Sequence, residues 1–119
     1  MADDIWQLLV ESTGFDWDEG NAPKVAERHG VEPGECEQVF FREPFLVNDD
    51  ETHSSEEPRW QALGGTSAGR QLFLVFTVRG SLIRVIAARD MNRRERKRYA
   101  EAEASVEEDS EVPGRGPGT

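Results

Sequence analysis

Leu72-Phe73-Leu74-Val75-Phe76-Thr77-Val78-Arg79, then Gly80-Ser81, then Leu82-Ile83-Arg84-Val85-Ile86-Ala87-Ala88-Arg89 is the stretch that decides the fold. Two runs rich in β-branched and aromatic residues flank a two-residue turn signal, the pattern of an antiparallel hairpin. The first run is apolar on both faces over Leu72–Phe76, which predicts a central strand. With a two-residue turn, Arg79, Thr77 and Arg84 share one face and Arg89 points to the other. A slip of one residue reverses that assignment.

Working outward, Phe45–Asp49 and Arg59–Gly64 read as further strands, and Phe15-Asp16-Trp17-Asp18 alternates like a short first one. Helical spacing lies between them. Ala22, Val25, Ala26 and His29 fall at i, i+3, i+4, i+7, with Asn21 as N-cap, Pro23 in the first turn and Gly30 as the stop. A second helix is predicted from Pro33 to Phe41, burying Cys36, Val39 and Phe40, with Pro44 ending it. After the hairpin, Asn92 and Glu95 have capping-box spacing and open a C-terminal helix. Its apolar stripe is thin: Met91, Tyr99 and alanines. The expected class is α+β, a small antiparallel sheet packed by two N-terminal helices and a C-terminal helix.

A chain of 119 residues supports one domain. Residues 1–14 read as an appendage in which Ile5, Leu8 and Leu9 make one helical turn. Residues 15–103 read as the domain, and 104–119 as an acidic, Pro/Gly-rich disordered tail. No apolar run nears the roughly 20 residues that span a bilayer. The opening Met1-Ala2-Asp3-Asp4 is acidic where a secretory signal is basic, so a cytoplasmic protein away from membranes is expected. Cys36 is the only cysteine and His29 and His53 the only histidines, which argues against a zinc site and for a core thiol. The acidic loop 49–57 lacks the spacing of a calcium loop, and no Gly-rich phosphate loop or nucleophile elbow is present. No metal and no cofactor are expected.

The net charge is −10, which as a bulk figure disfavours a nucleic-acid partner. Its distribution points the other way. Residues 1–14 carry −3 and residues 100–119 carry −5, whereas residues 70–99 hold nine bases against Asp90 and Glu95, for +7. That block is compatible with a phosphate ligand.

Phe15-Asp16-Trp17-Asp18-Glu19-Gly20-Asn21, Lys24 and Arg28-His29-Gly30-Val31 resemble the opening of BrnT-type ribonuclease toxins. The likeness continues in order through Glu37-Gln38-Val39-Phe40-Phe41 and the acidic-His-Ser loop with His53, Ser54, Glu57 and Arg59. It closes with Leu74 to Arg79 and Ile83 to Arg93, followed by Glu95 and Tyr99, so it covers roughly residues 15–100. Departures are Val25 where many members have Asn, Asn21 where some have Lys, and Ala87 where Ser is usual. The resemblance implies a RelE-like fold and endoribonuclease cleavage without metal. It also implies a ribbon-helix-helix antitoxin (BrnA-like), with promoter DNA bound only through the toxin–antitoxin complex.

Metal-free RNA cleavage uses the substrate's 2′-hydroxyl as nucleophile, so the protein must move protons and stabilise a dianionic phosphorane. Arginine suits the second task through its planar, permanently charged fork. With the resemblance, Arg59 and Arg79 are the leading phosphorane candidates and Arg89 a further catalytic one. His53, an imidazole in a polar loop, is the proton-transfer candidate. Lys24, Arg84, Arg93, Arg94, Arg96 and Lys97 are candidates for holding RNA, as is Arg98. Each has a plainer alternative. The strand arginines can form a solvated face or ion pairs with Glu56, Glu57 or Asp90, and His53 can be an idle loop residue. His29 can be a structural histidine, and Trp17 and Trp60 can be core aromatics instead of base-stacking platforms. Two whole-protein alternatives stay open: a degenerate toxin acting as antitoxin-binding co-repressor, and an RNA-binding module without cleavage.

Overall fold

The computed structural model describes residues 4–50 and 57–110, with side chains as far as Val106. In chain order the elements are α1 (Ile5–Glu11), β1 (Gly14–Phe15), α2 (Ala22–His29), α3 (Pro33–Val39), β2 (Leu46–Asp49), β3 (Trp60–Gly65), β4 (Gln71–Arg79), β5 (Leu82–Asp90) and α4 (Arg93–Ser110). The strands form one sheet in the order β1-β5-β4-β3-β2, so the doubly apolar β4 is central, as its sequence requires.

The α+β class holds, but the sheet is mixed where a purely antiparallel one was expected. β1 runs parallel to β5, pairing Gly14 with Leu82 and Phe15 with Ile83. It is only two residues long, shorter than the predicted Phe15–Asp18 strand: the Asp16 amide still donates to the Ile83 carbonyl, but the chain then turns through Asp18–Asn21 to enter α2. α1 is a full element as well: Asp4 caps it, accepting from the Trp6 and Gln7 amides, and Ile5, Leu8 and Leu9 pack against the core. At the other end α4 continues to Ser110, through residues 104–110 that by composition read as tail. The remainder of that tail, 111–119, lies outside the described residues.

The β4–β5 register carries one irregularity with large consequences. Val75 pairs with Ala87 and Phe76 with Val85, leaving Ile86 as an extra residue on β5. Such a bulge shifts the alternation of side chains by one beyond it. Ile83, Val85 and Ala88 therefore all enter the same core, a spacing that an unbroken strand cannot produce. The bulge corrects the expected facing of Arg89: it pairs with Phe73 and lies on the same face as Thr77, Arg79 and Arg84. No Gly or Pro marks it in the sequence.

The two faces differ in what covers them. One buries Trp60, Ala62, Leu72, Leu74, Phe76 and Val85 against Val25 of α2 and Cys36 and Val39 of α3. On the other, Leu63, Met91 and Tyr99 cluster with Leu46 and Phe73, so α4 crosses part of it. The Asn92–Glu95 capping box forms in both directions, each bond 2.9 Å, and the Tyr99 hydroxyl donates to the Pro44 carbonyl. Burial pushes the Cys36 thiol up to about 12, in keeping with a core thiol.

Asn21 occupies the N-cap position of α2 without capping it. Its fully buried amide donates to the carbonyls of Asp16 (3.0 Å) and Val85 (2.9 Å) and accepts from the Asp18 amide (2.8 Å). This fixes the start of α2 to β5 at the residue before Ile86. Gly30 ends the helix in the left-handed conformation expected of it, φ 67°.

Close approach of α3 to β3 depends on Gly64, where an added Cβ would lie 2.5 Å from Val39 Cγ1. Gly64→Ala is expected to destabilise the fold by about 1–3 kcal/mol through overpacking, and Asn21→Leu by a similar amount through the stranded Val85 carbonyl. Urea unfolding of the two variants against the parent measures both.

Candidate active site

β4 and β5 present Arg79, Arg84 and Arg89 on one face, and the β3–β4 register sets Arg59 beside them. Trp60 pairs with Phe76, so continuing the ladder brings Arg59 opposite Thr77 and Glu57 opposite Arg79. The side chains bear this out. Arg79 binds Glu57 through two bonds, Nη2 to Oε1 at 2.8 Å and Nε to Oε2 at 3.2 Å. That pairing holds the Glu57 carboxyl below the ordinary glutamate range, and the positive charges of Arg59 and Arg84 push it the same way. Three guanidinium groups thus act on one carboxylate.

Each group has local support. Arg84 is nearly buried, with Nη1 and Nη2 on the two oxygens of Asp18 at 3.1 and 3.0 Å and Asp16 at 3.4 Å. Gly20 leaves the room for this pair, since a Cβ there would meet Arg84 Nη2 at 2.9 Å. Thr77, also buried, donates its hydroxyl to the Pro58 carbonyl at 2.7 Å and holds the entry of β3 in place. Arg59 is half-buried, and its carbonyl accepts the Asp50 amide at 2.9 Å.

A second basic group lies farther along β5. A cleft of about 240 Å³ is lined by Lys24, Arg28 and His29 of α2 and by Phe73, Ile86 and Arg89. Arg89 stacks 4.0 Å above the Phe73 ring and pairs with Glu95 at 2.8 Å. Burial disfavours the charged form of Glu95, but Arg89 and the Asn92 amide outweigh it and lower its pKa. The C-terminal end of α2 is held by Arg70, which donates to the carbonyls of His29 and Gly30 and pairs with Glu35 and Asp90.

His29 exposes its side chain at this cleft, so its ring is not the buried structural histidine that the apolar stripe suggested. Lys24 and Arg28 are exposed beside it. Arg93, Arg94, Arg96, Lys97 and Arg98 are exposed along the first half of α4, Arg96 donating to the Met91 carbonyl. Trp17 packs against the core and gives its indole N–H to Glu37, and Trp60 is buried beside Phe76. Val25 belongs to the core and Ala87 lines the cleft, which locates two of the departures from the family pattern. His53 lies outside the described residues. No group of three His, Cys, Asp or Glu side chains suited to a metal occurs among the described residues.

Two residues of these groups were not singled out as functional in the sequence. Glu57 appeared only as an ion-pair partner and a motif letter, although the β3–β4 register would have placed it opposite Arg79. Arg28 follows Lys24 by four residues and so shares its helix face.

Residues 17–95 match the family described as the ribonuclease toxin, BrnT, of type II toxin-antitoxin systems. The chain belongs to the BrnT toxin family. The matched stretch contains α2, α3, β2 to β5 and the first residues of α4, and leaves out α1. Membership brings with it a ribonuclease toxin's role, with an RNA substrate and an antitoxin partner. A search of curated proteins finds no match. Among the described residues no helix is long and apolar enough to cross a membrane.

The carboxylates of this BrnT chain dictate a pH dependence. Glu57 and Asp90 are lowered, chiefly by their hydrogen bonds to Arg79 and Arg70. A depressed folded-state pKa gives stability that is complete above the unfolded values and lost as pH falls through the folded ones. Stability measured by urea unfolding is therefore expected to be level from pH 7 to about 5 and to decline below about pH 4.5. Arg70→Gln should lower the neutral-pH plateau and flatten the acid limb. An acid limb as steep in Arg70→Gln as in the parent would remove the Asp90 pair from the account.

Proposed function

We propose that this BrnT chain is a metal-independent endoribonuclease that cleaves RNA by attack of its own 2′-hydroxyl, with the scissile phosphate bound where Glu57 now sits. The paired bonds of Arg79 to Glu57, with Arg59 and Arg84 on the same face of the sheet, support the reading. A carboxylate and a phosphodiester offer an arginine fork the same paired oxygens, so substrate phosphate can take over the contacts Glu57 occupies. The 2′-oxygen attacks phosphorus, a base takes the 2′ proton, the P–O5′ bond breaks, and the 5′-oxygen receives a proton. Arg59 and Arg79 stabilise the dianionic phosphorane.

His53 is proposed as the residue that protonates the leaving oxygen. The displaced Glu57 carboxylate is the candidate for accepting the 2′ proton. Asp50 and Glu57, on either side of residues 51–56, both belong to the Arg59 neighbourhood. Arg89, Lys24 and His29 hold the neighbouring nucleotide in the cleft, with Arg84 fixing the face between. Arg93, Arg94, Arg96 and Lys97 guide the backbone. Silencing by a ribbon-helix-helix antitoxin, promoter binding only through that complex, and a RelE-like arrangement of β2 to β5 complete the proposal.

Expression of the chain alone is expected to arrest bacterial growth with RNA fragmentation, and Arg79→Ala or Arg59→Ala to abolish both. With purified protein, loss of either arginine should reduce cleavage by about 10²-fold or more. Products should end in 2′,3′-cyclic phosphate, and a 2′-deoxy substitution at the cleaved nucleotide should block the reaction. Normal growth with folded protein and intact RNA would identify a silent toxin remnant, and RNA retained without cleavage a binding module.

A further inference from the structure

Outside the arginine face, an apolar groove of about 530 Å³ lies between α1, the edge strand β1 and the chain leaving α3. Its walls carry Trp6, Val10, Phe15, Phe40, Phe41 and Phe45. Val10 is 79% exposed, Phe41 78% and Trp6 52%, an unusual amount of large apolar surface for so small a chain. The aromatic rings brace one another: Trp6 stands edge-on to Phe45, and Phe15 to Phe40 and Phe41. The groove is thus preformed. One wall of it, with Trp6, Leu9 and Val10, is built by α1, outside the stretch that matches the family.

Charge selects the occupant. The chain segments that supply the walls carry exposed Asp4, Glu11 and Glu43 against exposed Arg42, while Asp16 and Glu37 in the same segments are engaged by Arg84 and Trp17. RNA is repelled by that rim. A second copy docking groove to groove would set the same carboxylates against each other. Residues 111–119 offer one large apolar side chain, Val112, amid Pro and Gly, too little to fill the volume. A protein segment with apolar anchors flanked by Lys or Arg fits both features.

We propose that this groove anchors the antitoxin, through an amphipathic segment whose apolar side chains enter between Trp6 and Phe41 and whose basic flanks meet the acidic rim. The inference rests on membership of a toxin-antitoxin family and not on the cleavage mechanism. The groove lies on the side of the sheet covered by α1 and α3, away from Arg79 and Arg84, so anchoring and catalysis are separable.

The test titrates the full chain with the antitoxin protein encoded beside it, by calorimetry at two salt concentrations. Trp6→Ala and Phe41→Ala should each weaken binding about tenfold or more, as aromatic anchors do. Glu11→Lys should weaken it severalfold and reduce its salt dependence. RNA cleavage by the free variants should match the parent. Phe41 is exposed enough that its replacement leaves the fold intact, which circular dichroism checks. Affinity unchanged in Phe41→Ala and Trp6→Ala overturns the proposal. So does a parent dimer that Phe41→Ala converts to monomer, which would assign the groove to self-association. Because binding is read directly, a chain that binds antitoxin but never cleaves RNA would sink the catalytic reading and leave this one standing.

Discussion

One extra residue in β5 organises the functional face. Side chains on a strand alternate with period two, so Arg84 and Arg89 should face opposite ways. Ile86 breaks the alternation, and both arginines come to the face that already holds Arg79. The same bulge lets Ile83, Val85 and Ala88 all reach the core, so it serves packing and site together. A regular β5 would force a choice between burying Ala88 and aiming Arg89. Beyond Ile83 no strand among the described residues pairs with the outer edge of β5, and α2 lies along it, bringing Lys24, Arg28 and His29 to the cleft beside Ile86.

Two polar residues hold α2 there. Asn21 ties its start to β5 and to the chain before it, with three hydrogen bonds on one buried amide. Arg70 ties its end to α3 and β5. A buried amide so fully satisfied costs little and specifies a single position, because a shift in any direction strands a polar group. Helix propensity contributes less: eight residues form no stable helix alone. The cleft is therefore a consequence of tertiary clamps at the two ends of a short helix.

Much of this was legible in the sequence where the signal is local. The β4–β5 hairpin, the Gly30 stop, the Asn92–Glu95 box and the buried Cys36 follow from patterns of a few residues. What escaped depends on partners far along the chain. The parallel pairing of Gly14-Phe15 with Leu82-Ile83 is two residues long and carries no periodicity. Asn21 looks like any N-cap until Val85 is beside it. The bulge sits in Val85-Ile86-Ala87-Ala88, a run that reads equally well as regular strand. Residues 104–110 are acidic and polar, which suggested a tail, but Ala, Glu and Ser tolerate helix well enough to extend a helix already capped and anchored at Tyr99. Glu57 was hidden by the same gap, since its role appears only when the ladder from Trp60–Phe76 is continued outward.

The charge pattern of the site bears on how a strongly acidic protein handles RNA. Arg79 and Arg84 are each paired with carboxylates, and Arg59 adds its charge to the same neighbourhood, so the local field is close to balanced. The exposed Arg79–Glu57 pair adds at most about 1 kcal/mol to stability, so its main effect is to orient the guanidinium fork. Phosphate replacing Glu57 exchanges one anion for another on a preset fork, which fixes position while adding little affinity. On the proposed reading, net attraction comes from the exposed bases Lys24 and Arg28 at the cleft and Arg93, Arg94 and Lys97 on α4. Selection of the reacting phosphate and retention of the strand fall, on that reading, to different residues, so the net charge of −10 is no measure of either.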